Sequence, residues 1–298
     1  MDTIGYFPGC SLQGSAFDYD RSVRALAQQL SIVLREIPDW VCCGASSAHA
    51  VDREVALCLA ADTLAKARRA GLDEVLVPCA MCFQRLAAAS QELTEHRSLA
   101  GEIAGALGGP ADLDLTRVKA VNPVEWLVRL LPGTLGTRAR RPLTGLRVAC
   151  YYGCLLVRPP KVTRVEEPEA PRQMEGILKA LGATTVRWGR ATECCGASFS
   201  LSRKSVVLRQ GLRIWELAVE AGANVLCVAC PMCHANLDMR QSEFLSEGQE
   251  ALPVLYLTQL AGLAAGLGPE QLGLGDHFVS VDRLLSTLGP VGRPVTDT

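Results

Sequence analysis

The sequence predicts an α/β protein of two similar repeats, each a small parallel sheet with flanking helices, related by pseudo-two-fold symmetry. Three observations predict it. Short apolar runs rich in Val and Leu follow segments of helical composition, as buried parallel strands do. The same order of landmarks occurs twice along the chain. The length, 298 residues, fits one large domain or two of ordinary size.

Strands are expected over 2–7, 75–79, 118–122, 146–152, 184–188, 225–230 and 253–257. Helices are expected over 52–70 and 203–221, with Gly71 and Gly222 as their stops; the first carries basic residues in its last turn. Strands alternating with helices imply parallel sheets. The segment 158–171 holds Pro159, Pro160, Pro168 and Pro171, which forbid a helix or a central strand, so it is expected to be a surface loop. Gly, Pro and Arg accumulate over 132–145 and place a boundary there, dividing the chain into repeats at 1–140 and 141–298. The tail after about residue 268 is Gly-rich and poorly periodic.

The repeat is carried by cysteines. Pro8-Gly9-Cys10 is matched by Tyr152-Gly153-Cys154. Cys42-Cys43-Gly44-Ala45-Ser46 is matched by Cys194-Cys195-Gly196-Ala197-Ser198. The pair Cys79 and Cys82 is matched by Cys230 and Cys233. The offsets are 144, 152 and 151 residues, nearly constant over three landmarks in one order. Between the single Cys and the Cys-Cys pair lie 31 residues in the first repeat and 39 in the second, and the eight extra fall at the proline-rich segment.

Thirteen cysteines are too many for packing alone. The N-terminal residues lack the basic and apolar regions of a secretory signal, so a cytoplasmic location is expected, where thiols stay reduced. Clustered cysteines there indicate metal binding or redox chemistry. Thirty basic against 31 acidic residues argue against nucleic acid as the main partner. Mean hydropathy is +0.18, yet no apolar run is long enough to span a membrane.

Every motif cysteine falls at a strand end or at a turn into a helix, where α/β folds build sites. Five thiols per repeat can therefore converge. A single zinc ion wants four ligands, usually from two Cys-x-x-Cys turns. Adjacent cysteines chelate one small ion poorly and suit a larger polynuclear centre, while the bacterial ferredoxin cysteine run is absent. A dithiol redox pair at Cys230 and Cys233 is a further alternative.

The doubled pattern of Cys10, Cys42, Cys43, Cys79 and Cys82, then Cys154, Cys194, Cys195, Cys230 and Cys233, resembles the paired cysteine-rich CCG domains of the heterodisulfide reductase B subunit. The similarity extends to about residue 265 and includes the stretch Tyr151 to Lys161 and the Cys-Pro-Met-Cys-His end. The second repeat's last gap is one residue shorter than the first's. The resemblance implies that each quintet binds one noncubane [4Fe–4S] cluster, giving two clusters that face one another around a substrate site. It implies an oxidoreductase acting on sulfur groups that cleaves or forms a disulfide, or oxidises a bound thiol or sulfane. It implies work in a complex with a ferredoxin-like partner, the C component, and, through it, a flavoprotein, the A component. The substrate would be a small thiol or disulfide, or a lipoyl protein. The alternative is an electron-relay subunit of a glycolate-, lactate- or succinate-type dehydrogenase.

Other residues carry two readings each. His234 could hydrogen-bond a cluster sulfur or give a proton to a leaving thiolate, or could be an exposed first-turn residue. Arg158 and Lys161, with Arg164, Arg203 and Lys204, could bind an anionic substrate or simply be solvated. His49 follows the first Cys-Cys-Gly and is a weaker candidate. His96 and His277 are expected at the surface. Cys58, Cys150 and Cys227 lie outside the repeat and are expected in the core. Arg138, Arg140 and Arg141 are expected on a linker face. With no Gly-x-Gly-x-x-Gly and no Walker lysine loop, the chain has no evident nicotinamide or flavin site.

Overall fold

The computed structural model describes residues 2–45, 48–108 and 113–291. Ser46 of the first motif and 292–298 of the second repeat lie outside the described residues.

Two four-stranded sheets form, every pair parallel. The first contains β1 (Thr3–Tyr6), β2 (Val33–Glu36), β3 (Glu74–Leu76) and β4 (Lys119–Val121) in the order β2-β1-β3-β4. The second contains β5 (Arg147–Tyr151), β6 (Thr184–Thr185), β7 (Val225–Val228) and β8 (Val254–Tyr256) in the matching order β6-β5-β7-β8. This is the expected α/β fold with two similar repeats. The edge strand β2 was not expected. Its sequence, Val-Leu-Arg-Glu, pairs on one side only and is half exposed, so it lacks the apolar run that marks β7.

The repeats meet along a seam of exchanged helices. The helix Phe17–Gln29, which follows β1, packs on Leu257–Ala264, which follows β8. The helix Gln173–Ala180, which follows β5, packs on Pro123–Leu130, which follows β4. Across the first contact Ser22 Oγ and Thr258 Oγ1 lie 2.7 Å apart, and Gln29 Nε2 donates to the Ala265 carbonyl at 3.1 Å.

Three expectations are corrected. The proline-rich segment is a surface loop over most of its length but not all of it. Pro160 opens a single helical turn, Pro160–Thr163, because proline is tolerated at a helix's first position. Its Val162 and Thr163 are buried, and the turn packs against the helix Ala80–Glu95 of the other repeat. The three linker arginines are not a loose face. Arg138 Nη1 donates to the Gln29 carbonyl at 2.8 Å, Arg141 Nε donates to the Gly289 carbonyl at 2.6 Å, and the Arg140 backbone amide donates to the Ala264 carbonyl. Cys58 is exposed rather than in the core. The helix Arg53–Arg69 buries Ala56, Ala60, Thr63, Leu64 and Ala67, an i, i+4, i+7 stripe that leaves position 58 on the outer side. Cys150 and Cys227 do lie in the core, side by side on β5 and β7.

Candidate metal centres

Each quintet sits beyond the carboxyl ends of three adjacent strands. Cys10 follows β1, Cys42 and Cys43 follow β2, and Cys79 caps the helix Ala80–Glu95 just after β3. Cys154, Cys194 with Cys195, and Cys230 stand in the same places after β5, β6 and β7, Cys230 capping the helix Pro231–Leu237. Since β1 lies between β2 and β3, the chain leaves it in opposite directions. Such a switch point opens a crevice at the strand ends.

Glycine makes the crevice close enough. Gly9 and Gly153 have φ of +66° and +64°, a left-handed conformation that L side chains rarely adopt. A Cβ at Gly9 would stand 3.0 Å from Cys82 Sγ, and one at Gly153 would stand 3.1 Å from Cys233 Sγ.

The thiols interact within each quintet. Cys43 Sγ and Cys82 Sγ are 3.1 Å apart, and Cys195 Sγ and Cys233 Sγ are 3.6 Å apart. Hydrogen bonds to Cys43 and Cys79, with burial, hold the Cys82 thiol well above its ordinary range. The hydrogen bond from Cys82 outweighs burial at Cys79, whose thiol falls to about 7, and also lowers Cys43. Burial, and then the negative charge of Cys42, Cys43 and Cys79, raise Cys10. In the second quintet a hydrogen bond from Cys154 lowers Cys194 to about 6, helped by the Gly196 amide, which donates to Cys194 Sγ at 3.3 Å. Cys154 is correspondingly raised. Cys233 is raised by its bonds to Cys195 and Cys230, while Cys195 is lowered by Cys233 and by Asn236, whose Nδ2 donates to its sulfur at 3.5 Å.

This donor set fits a polynuclear centre better than one ion. Four thiolates around a single zinc would lie about 3.8 Å apart, given Zn–S bonds of about 2.3 Å. Among the described residues no three cysteine sulfurs lie mutually within 4.8 Å. Each quintet has a buried floor and an open rim: Cys43, Cys79 and Cys82 are buried while Cys10 and Cys42 are exposed. Cys195, Cys230 and Cys233 are buried, Cys154 is half-buried and Cys194 is exposed.

The remaining candidates fall in different places. His234 is buried, not an exposed first-turn residue. Its Nε2 lies 3.0 Å from the Val254 carbonyl, and its ring stacks on Tyr256 at 4.4 Å. Burial, then the His277 charge, lowers its pKa to about 3, so near neutral pH the ring has no proton to spare for a thiolate. Arg158 is a clip rather than a substrate cation. Its fork is filled by Glu169 and by the Thr192 carbonyl, which ties the inserted segment to the chain leading into Cys194. Lys161 is exposed on the single helical turn beside it. Lys204 is paired with Glu243. His49 and His96 are exposed. His277 is the clear correction: its side chain has no exposure, because the C-terminal segment folds back over the first repeat. Arg21 there pairs with Asp276 at 3.2 Å. The poor periodicity of that tail hid its packing.

A family model for the cysteine-rich domain (CCG) matches residues 4–87 and 148–238, spans that contain the two quintets. Relatives align over nearly their full length. The 8-methylmenaquinol:fumarate reductase membrane anchor subunit of Wolinella succinogenes is 33% identical over 94% of this chain and 98% of its own. The B subunit of the ferredoxin:CoB-CoM heterodisulfide reductase of Methanosarcina mazei is 28% identical over 94% of each. A protein of Archaeoglobus profundus that is like the heterodisulfide reductase B subunit is 27% identical over 91% of this chain and 93% of its own. The fold is also that of a hypothetical protein from Helicobacter pylori, with a TM-score of 0.74 at 14% identity, covering 95% of this chain and 53% of that one. Doubled quintet, matching sheets and near full-length alignment agree: this chain belongs to the two-domain cysteine-rich (CCG) family that includes the heterodisulfide reductase B subunit.

Proposed function

We propose that this chain is the iron–sulfur subunit of a multi-subunit oxidoreductase. Cys10, Cys42, Cys43, Cys79 and Cys82 would hold one noncubane [4Fe–4S] cluster, and Cys154, Cys194, Cys195, Cys230 and Cys233 a second. When bound, each cluster supplies one electron at a time, so a pair matches the two electrons that open or close a disulfide. The observation that carries the reading is the open rim. Exposure of Cys10, Cys42 and Cys194 leaves one side of each quintet accessible to a small sulfur compound.

The chain's own residues do the rest. Buried thiols anchor from below and exclude water. The Gly196 amide and Asn236 stabilise thiolate charge through hydrogen bonds to Cys194 and Cys195. Lys161 and Arg164 are exposed cations on the inserted segment that follows Cys154 in the chain, and would attract an anionic thiol. A ferredoxin-like C component and a flavoprotein A component would supply electrons, since the sequence has no nucleotide motif of its own. The substrate class is a small thiol or disulfide, or a lipoyl protein.

A second reading has specific support. The Wolinella succinogenes relative belongs to a menaquinol-linked fumarate reductase, which favours an electron relay between that type of dehydrogenase and quinone. No helix among the described residues is long and apolar enough to cross a membrane.

Electron paramagnetic resonance on anaerobically purified protein, oxidised with ferricyanide in the presence of candidate thiols, separates the readings. The disulfide reading expects a new paramagnetic species with one thiol, absent from Cys42→Ser or Cys194→Ser protein. A spectrum that no thiol perturbs favours the relay. Colourless protein without acid-labile sulfide sinks both.

A further inference from the structure

Asp18, His234 and His277 meet at the seam in a group that contains no cysteine, although His234 directly follows Cys233 of the second quintet. Asp18 lies in the first turn of the helix Phe17–Gln29 of the first repeat. His234 lies on the helix Pro231–Leu237 of the second, and His277 follows the 3-10 turn Leu274–Asp276 of the C-terminal segment. Residue exposure is 7% for Asp18 and 6% for His234, and the His277 side chain has none. One ring nitrogen of each histidine and one Asp18 oxygen all lie within 4.8 Å of one another.

The surrounding hydrogen bonds fix where the protons are. A backbone carbonyl can only accept, so His234 Nε2, 3.0 Å from the Val254 oxygen, carries the ring's proton. His234 Nδ1 is left with a free lone pair. A backbone carbonyl holding the far nitrogen is the usual support of a metal-binding histidine. Gln259 Oε1 accepts the Tyr256 amide at 2.8 Å, so Gln259 Nε2 is the donor end. It donates to the Leu272 carbonyl at 3.0 Å and to His277 Nε2 at 2.8 Å. His277 Nε2 is thus an acceptor, and Asp18 Oδ2, another acceptor, stands 3.4 Å from it. The other ring nitrogen, His277 Nδ1, then carries that ring's proton and is buried without a partner; the lone pairs that meet are those of His234 Nδ1, His277 Nε2 and Asp18 Oδ2. Lone pairs therefore crowd together in a dry place with too few protons among them, an arrangement that costs free energy unless a cation joins it.

We propose that Asp18, His234 and His277 bind a divalent transition-metal ion, zinc, that locks the C-terminal segment to both repeats. Two imidazoles and one carboxylate form a known three-ligand zinc set, whereas calcium and magnesium prefer oxygen alone. The ion takes over the His277 lone pair from Gln259, which keeps the Leu272 carbonyl as acceptor. The backbone around the site is already held. Asp238 accepts the amides of Phe278 and Val279 at 2.8 and 3.2 Å. At Gly273 an added Cβ would stand 2.8 Å from Asp18 Cα, so the segment approaches that helix as closely as the backbone allows. The rival occupant is a proton shared by Asp18 and His277.

The test uses the full chain with its iron and sulfide in place, equilibrated with zinc and then desalted. The proposal expects one zinc per chain, with X-ray absorption showing a nitrogen and oxygen shell near 2.0–2.1 Å and no sulfur near 2.3 Å, the distances of the two ligand types. Asp18→Asn and His277→Ala should each weaken zinc retention by about tenfold or more while iron and sulfide stay at wild-type levels. Zinc should raise the melting temperature of the wild type and of neither variant. No retained zinc, the outcome of a shared proton, overturns the proposal. Zinc with a sulfur shell, or zinc undiminished in Asp18→Asn, overturns it equally. Should His277→Ala fail to fold, the wild-type absorption spectrum and Asp18→Asn still decide. Iron and sulfide are counted separately, so failure of the cluster reading would be seen independently.

Discussion

Tyr19 and Tyr256 stack face to face across the seam, their ring centroids 3.8 Å apart and their planes 4° from parallel. Both are fully buried, and they come from different repeats. Tyr19 Oη donates to the Pro78 carbonyl at 3.3 Å, next to Cys79. Burial, and then the charges of Cys230 and Cys79, push its phenol well above its ordinary range. One ring thus feels both Cys-x-x-Cys turns. The stack joins the two repeats at their seam.

Removing that ring should be costly. Tyr19→Ala deletes a fully buried aromatic and is expected to lose about 3–5 kcal/mol of stability, while Tyr19→Phe, which loses one long hydrogen bond, should lose about 1 kcal/mol or less. Chemical denaturation of both variants checks this. Equal losses would place the energy in the hydroxyl rather than in the stack.

The glycines before the first cysteine of each repeat make a matched pair of predictions. Gly9→Ala forces a Cβ to 3.0 Å from Cys82 Sγ at a φ of +66°, and Gly153→Ala does the same against Cys233. The left-handed backbone alone costs a non-glycine residue about 1–2 kcal/mol. Each variant should lose about half of the bound iron and sulfide, because each disturbs one quintet. Full retention in either would show that its crevice has room to spare.

Ser22 and Thr258 share a buried hydrogen bond between repeats. Ser22→Ala leaves the Thr258 hydroxyl unpaired and should cost about 1–3 kcal/mol. Adding Thr258→Val should recover much of that loss, since replacing both partners with apolar groups of similar shape is close to neutral. A double-mutant cycle measures it, and simple additivity would contradict the pairing.

Cys194 should titrate early in metal-free protein. Its thiol, lowered to about 6 by the hydrogen bond from Cys154, becomes the reactive thiolate as pH rises through that value. Alkylation by iodoacetamide, read by peptide mass spectrometry, should be half-maximal near pH 6 and level above pH 7. An unperturbed thiol reaches that point near pH 8.5. Cys154→Ala should move the midpoint upward. Bound clusters should block the reaction.

Much of the site was legible because its encoding is local. Cys79 and Cys230 each end an apolar run and open a helix, so sequence alone places both at strand ends. The doubled spacing identified the other eight cysteines by the same logic. The phase of a helix was less legible: Cys58 sits among Val55, Leu57 and Leu59 in the sequence, yet the stripe through Ala56, Ala60 and Thr63 turns it outward. The edge strand β2 was hidden by its half-exposed, partly charged residues.

Order, periodicity and turn chemistry thus determined two parallel-sheet repeats and ten cysteines gathered at their strand ends. Tertiary structure decided the seam and everything on it. The Ser22–Thr258 bond joins residues 236 positions apart, and the Asp18–His234–His277 cluster draws on both repeats and the tail. Neighbouring residues impose helix, strand and turn through short-range sterics and hydrogen bonds. Contacts between distant surfaces depend on how whole elements dock, and no local pattern records which buried face will meet which.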